Sequence, residues 1–138
     1  MKSIESLNVL VVGLGSMGKR RVRNLIALGV KNIVGFDSRP DRRHEAQNQY
    51  GITIIDTVDI ETIKQFSFDA FVISVPPAIH HHYMDLAVSS GIPFFVEASV
   101  VDHGLDNIIT AVNEANLVAA PSGTLFFHNG IRKIYEIV

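Results

Sequence analysis

The chain has no cysteine and no tryptophan. Without thiols, disulfides, zinc–thiolate sites and thiol catalysis are excluded. Neither sign of charge dominates, since 12 Lys and Arg face 14 Asp and Glu for a net charge of −2. That balance gives no electrostatic footprint for nucleic acid or an anionic membrane. Long apolar runs are missing too. The first one breaks at Gly13, and Lys2 and Glu5 stand before it. The N-terminus therefore reads as neither a signal peptide nor a membrane span. These absences point to a cytoplasmic protein without nucleic-acid or membrane partners.

What is present is ordinary in amount but not in order. The 138 residues are 47% apolar and 19% charged, with a mean hydropathy of +0.25. This suits one globular domain with a real core, small for an enzyme carrying cofactor and substrate halves. The apolar surplus has two readings: a sheet buried on both faces, or a surface meant for a second domain or a partner.

The most informative stretch runs from Val9 to Gly18. A strand-like apolar run meets Gly13-Leu14-Gly15-Ser16-Met17-Gly18, and a helical pattern follows at once. In that context the glycine spacing is a dinucleotide-binding signal. Gly13 permits a tight turn off the strand, Gly15 lets a pyrophosphate approach the backbone, and Gly18 lets the helix pack closely on the sheet. The phosphates would sit on free N–H groups at the helix N-terminus, which Ser16 and Met17 open.

Strand and helix patterns alternate along the rest of the chain. Strands are expected over 8–12, 33–36, 52–55, 70–74, 94–96 and 117–120. Helices are expected over 16–28, after Pro40, near 60–65, over 78–90, over 105–116 and over 131–138. In the first helix Val22, Leu25 and Ile26 should face inward. In the fourth, Ile79, Tyr83, Leu86 and Ala87 share helical spacing. Leu105, Ile108, Ile109, Val112 and Ala115 form the stripe of the next. Such alternation implies a doubly wound parallel sheet of six strands, a Rossmann fold of order 3-2-1-4-5-6.

Several polar residues fall at the carboxyl ends of these strands, where open α/β sheets bind ligands. Asp37 closes the second strand at the distance expected of a ribose-binding acid. The other reading is a turn aspartate starting the Asp37-Ser38-Arg39-Pro40 bend, but the glycines upstream favour ribose binding. Arg39, Arg42 and Arg43 leave NADP open beside NAD, because an arginine there could take a 2′-phosphate. Lys19, Arg20, Arg21 and Arg23 crowd the start of the first helix against its dipole, so one of them could reach an anion. Ser74-Val75-Pro76-Pro77 follows the fourth strand. His80, His81 and His82 point three ways on a helix and cannot share one metal. His82 falls on the apolar stripe and reads as packed, whereas His80 could face a cofactor. Glu97 ends the fifth strand, and His128 and Asn129 precede the last helix.

In order and spacing, the glycine motif, Asp37, Val75-Pro76-Pro77-Ala78-Ile79-His80, Gly91 and Glu97 resemble the Gfo/Idh/MocA oxidoreductases. This is the family of glucose–fructose oxidoreductase and inositol dehydrogenase. The resemblance is good from about residue 8 to 97 and weaker beyond. It implies an NAD(P)-binding Rossmann domain over residues 1–121. Residues 122–138 would then lead into a substrate domain that is absent here. It further implies hydride transfer at a hydroxyl carbon of a sugar or cyclitol. By resemblance Gly13, Gly15 and Gly18 cradle the pyrophosphate, Asp37 the ribose, and Pro76 and His80 lie near the nicotinamide half. Glu97 matches the glutamate of the family's Glu-Lys-Pro motif, but Ala98 and Ser99 replace its lysine and proline. Glu97 and His80 are thus the nearest catalytic candidates, and little or no turnover is expected from the chain alone. A homo-oligomer, a separate substrate-domain partner, or an NAD-sensing regulatory module remain alternatives.

Overall fold

In the computed structural model, residues 2–99, 101–123, 129, 133–134 and 136–137 are described. At the centre of the sheet lies β1 (Asn8–Val12), with Val9 to Val12 all buried. A strand covered on both faces reads as an unbroken apolar run rather than an alternation. Beside it lie β2 (Asn32–Phe36) and β4 (Ala70–Ile73), both parallel to it. The short β3 (Thr53–Ile54), then β5 (Phe94–Val96) and β6 (Ala119–Pro121), complete the order β3-β2-β1-β4-β5-β6. This is the six-stranded parallel order expected. The strand sequence reverses between β1 and β4, and a crevice opens there at the carboxyl ends.

The two faces bury separate sets. Leu10, Val12, Val34, Phe71, Ile73 and Phe94 pack on one side with Ile63, Met84, Ala87 and Ile108. Those four come from α3 (Ile60–Phe66), α4 (His80–Ser89) and α5 (Leu105–Glu114). Val9, Val11, Ile33 and Val72 pack on the other with Val22 of α1 (Ser16–Ala27) and Ala46 of α2 (Pro40–Tyr50). Much of the apolar surplus is therefore spent inside a sheet covered on both faces.

Several expectations about facing residues need correction. Ile26 is 45% exposed; α1 buries only Gly18 and Val22, with Leu25 packed partly against the core. The fourth helix does not run unbroken from residue 78. Pro77–Ile79 is a 3-10 turn, and the α-helix begins at His80. That start puts His80, Met84 and Ala87 inward, at the i, i+4, i+7 spacing of one helical face. His82 is consequently exposed, contrary to its packed reading, and so is Ile79. In α5 only Ile108 is buried, Val112 is half-buried, and Leu105, Ile109 and Ala115 are exposed. The third strand shrinks to two residues, and the sixth shifts to Ala119–Pro121. The helix expected over 131–138 falls largely outside the described residues.

Candidate cofactor site

The glycine loop is built by close approach. Gly13 has φ +92°, and a Cβ there would lie 2.6 Å from the Ser74 carbonyl oxygen. Gly18 is tighter still, because its Cβ would fall 1.7 Å from the Gly13 carbonyl oxygen. Gly18 thus seats the helix on the loop itself rather than on the sheet. Gly15 differs from both. A Cβ there would meet only the end of the Arg42 side chain, at 3.5 Å. The fold does not need glycine at that position, and the lack of any crowding backbone beside it is what an approaching pyrophosphate requires.

Gly15 is also the N-cap of α1, and no side chain caps the helix or places an acid in its first turn. The first-turn N–H groups, on the exposed Ser16 and Met17 side of the loop, lack an intrahelical partner. With the helix dipole they form an anion-binding end.

Asp37 follows β2 and is 5% exposed. One carboxylate oxygen accepts the Leu14 N–H at 2.8 Å, and the other accepts the Arg39 N–H at 2.9 Å. It therefore fixes the glycine loop and also starts the bend, so its two sequence readings are joined. A carboxylate offers about four acceptor positions, which leaves capacity for ribose hydroxyls. Arg42 Nη1 stands 3.5 Å from the same carboxylate. Arg43 is spent elsewhere, on the Asp37 carbonyl and on Asp56, and Arg39 pairs with Asp41.

A cleft of about 290 Å³ opens between these groups and the segment after β4. Gly13, Asp37, Ser38, Arg39 and Arg42 form one wall; Phe36, Val75, Pro76, Ile79 and Tyr83 form the apolar remainder. Phe36 and Tyr83 rings lie 6.3 Å apart. Burial, reinforced by the Asp37 charge, holds the Tyr83 phenol above its ordinary pKa. An apolar slot beside an acid and two arginines suits a nucleoside with its phosphates. Tyr83 and Phe36 were visible in the sequence only as core-like aromatics, because nothing local shows that the Tyr83 ring of α4 meets the Phe36 ring at the end of β2.

The other sequence-marked residues separate from this cleft. His80 is 3% exposed, and its Nε2 lies 2.8 Å from the Val75 carbonyl. It braces the loop that carries Val75 and Pro76 from behind, while Pro77 is exposed. The His81 and His103 rings meet edge-on at 6.2 Å. Glu97 lies past β5, with both carboxylate oxygens taken by Arg21, at 2.6 and 2.9 Å. The Arg21 guanidinium also sits 4.7 Å over the Phe95 ring, and the Glu97 hydrogen bonds push its pKa further up. Of the cations crowding α1, Lys19 pairs with Glu45 and Arg23 donates to the Tyr50 hydroxyl. The Arg21–Glu97 pair spans 76 positions, so no sequence pattern could have indicated it. Asn129 is exposed, and His128 lies outside the described residues.

Sheet order, glycine loop and acid together define a dinucleotide-binding Rossmann domain. The family model of the Gfo/Idh/MocA oxidoreductases, described as an oxidoreductase family with an NAD-binding Rossmann fold, matches residues 7–119. The chain belongs to this family, as its NAD-binding domain. No curated protein matches the chain. Solved structures do. GenD2 from gentamicin A biosynthesis, in complex with NAD, superposes with a TM-score of 0.82 at 22% identity, over 96% of this chain and 39% of its own. Myo-inositol 2-dehydrogenase from Lactobacillus plantarum gives 0.82 at 22%, over 95% and 40%. KijD10, a 3-ketoreductase from Actinomadura kijaniata in complex with NADP and TDP-benzene, gives 0.81 at 16%, over 95% and 41%. The chain spans about two fifths of the length of these structures. Among the described residues no helix is long and apolar enough to cross a membrane.

Proposed function

We propose that the chain is the cofactor-holding part of an oxidoreductase acting on a hydroxyl carbon of a sugar, cyclitol or related compound. It would bind NAD(H) and turn over little or no substrate unaided. The observation that carries this reading is the contrast within the loop: Gly13 and Gly18 are glycine because backbone touches them, whereas at Gly15 no backbone crowds a Cβ, which would meet only the end of the Arg42 side chain. In this reading residues 1–121 form the cofactor domain, and 122–138 lead toward a substrate half, in the same or a separate polypeptide. The neighbouring myo-inositol 2-dehydrogenase supports the cyclitol part of that substrate class.

A bound nicotinamide dinucleotide supplies the hydride acceptor or donor. Gly15, Ser16, Met17 and Gly18 present backbone N–H groups to the pyrophosphate. Asp37 accepts from the ribose hydroxyls and disfavours a 2′-phosphate, so NAD is preferred; Ser38 and Arg39 border that end. Val75 and Pro76 wall the slot, with Pro77 shaping the turn beyond them. Ala98 holds no proton and orients no hydroxyl, so proton transfer from a reacting alcohol lacks the family's usual lysine at this position.

Titration of NADH followed by fluorescence tests the binding half. Saturable binding abolished in Gly15→Val is expected. Signals that fail to saturate at millimolar NADH, with Gly15→Val indistinguishable, would overturn it. A second reading, a regulatory module that responds to its nucleotide, is favoured by Ala98 and by the engagement of Glu97 with Arg21. A cofactor-dependent change in oligomeric state or partner binding would distinguish it.

A further inference from the structure

Resting on the binding site just described, we infer that His80 is a positioning residue for it. From behind the cleft, it fixes the wall that faces Asp37. Among the described residues two polar side chains are buried, Asp37 and His80, at 5% and 3% exposed. Burying a polar side chain is costly unless it is hydrogen-bonded, and both make their bonds to the backbone of this one cleft. Asp37 takes the Leu14 N–H from the β2 side. His80 takes the Val75 carbonyl from the β4 side, its Nε2 2.8 Å away. A carbonyl oxygen only accepts, so Nε2 carries the proton and is the donor.

The turn after β4 explains why a side chain is needed there. Pro76 has no N–H, and the first turn bond runs from the Ile79 N–H to the Pro76 carbonyl, at 3.1 Å. The carbonyl just before it, on Val75, goes to the imidazole. What moves with Val75 is the site itself. The Ser74–Val75 peptide is what a Cβ on Gly13 would strike, at 2.6 to 2.8 Å, and the Gly13 carbonyl bars one from Gly18 in turn. Val75 and Pro76 wall the cleft, as do Ile79 and Tyr83, on either side of His80 in the chain. Direct contacts therefore run from the His80 ring through Val75 to the glycine loop. A side chain without the donor strands the Val75 carbonyl and releases Val75 from the position that backs Gly13.

Calorimetric NADH titration of the 138-residue chain and three variants tests this, with Tm recorded for each. His80→Gln keeps an amide N–H donor at similar reach, and His80→Leu fills the space without one. Ile108→Ala loosens the same core from α5 and leaves the Val75 bond in place. Losing one buried hydrogen bond costs roughly tenfold, so His80→Leu should weaken NADH by about that factor and His80→Gln should stay within about threefold. Ile108→Ala should lower Tm with Kd unchanged, a split that a merely structural His80 would not produce. In the unsubstituted chain, long-range 15N–1H correlation should place the His80 proton on Nε2. Unchanged Kd in a folded His80→Leu, equal losses in all three variants, or a proton on Nδ1 alone would each overturn the inference while leaving dinucleotide binding intact. Failure of the unsubstituted chain to bind NADH would instead remove the parent reading, and this one with it.

Discussion

Two glycines three residues apart do different work. Gly18 cannot carry a Cβ, because the Gly13 carbonyl oxygen would be 1.7 Å away and is backbone. Gly18→Ala is expected to cost at least about 3 kcal/mol, the upper end for overpacking, read as a lowered denaturation midpoint. Gly15 has φ −68°, so a side chain is compatible with its backbone, and a Cβ would make only an ordinary contact with the end of Arg42. Gly15→Val should cost only about 1 kcal/mol of stability, the penalty of a poor N-cap, yet abolish nucleotide binding. The motif already assigned Gly15 to the pyrophosphate and Gly18 to helix packing, but not how far their tolerance of a side chain differs. What separates them is the distance to Ser74 and to the loop's own carbonyl, which no spacing rule contains. Asp37 was similarly legible as an acid in the right place, whereas its hold on the Leu14 N–H depends on how β2 lies against β1.

The elements most visible in the sequence were those with strong local patterns, such as β1 and α1. Those that shifted were set by neighbours. The fourth helix moved its start to His80 because Pro76-Pro77 imposes a 3-10 turn, and that move buried His80 and left His82 exposed. In β3 only Thr53 and Ile54 have register partners in β2; the Ile55 N–H adds one bond to the Gly35 carbonyl, and the buried Ile52 and Ile55 side chains pack without extending the strand. At this scale the Arg21–Glu97 pair joins α1 to the end of β5 with side chains only 20% and 12% exposed. Removing one partner leaves the other charge poorly solvated. Glu97→Gln should cost about 1–3 kcal/mol, below the figure for full burial, and a double-mutant cycle with Arg21→Ala should show positive coupling. Acid sensitivity also belongs here. Asp69 is held below the usual aspartate range by Lys2 and by the Asn8 N–H at the start of β1. Asp59, the N-cap of α3, is lowered by the Thr62 N–H. Lowered native pKa values mean stabilisation present above the unfolded value of about 3.9 and lost as pH falls through the native values. Denaturation curves should thus weaken below about pH 4, less steeply in Asp69→Asn.

For the whole molecule, order and architecture were readable because six strands alternating with helices admit few right-handed windings. The site was readable only in part: the strand ends were marked, but the cleft arises from Tyr83 of α4 meeting Phe36 at the end of β2 and from Arg42 reaching Gly15. A ligand that binds only the folded chain should raise its stability by about 2.7 kcal/mol at a hundredfold excess over Kd, seen as a Tm higher by several degrees. A second cavity, of about 320 Å³, lies at the opposite edge of the sheet between Ile26, Asn32 and Tyr50, so stabilisation alone does not locate the ligand. Amide chemical-shift mapping with NADH does. The account expects saturable shifts concentrated on Gly15, Ser16, Met17, Gly18, Ser38 and Arg39, with Tyr83 following. Shifts centred instead on Asn32, Tyr50 and Gly51, or no saturable shift at all, would contradict it.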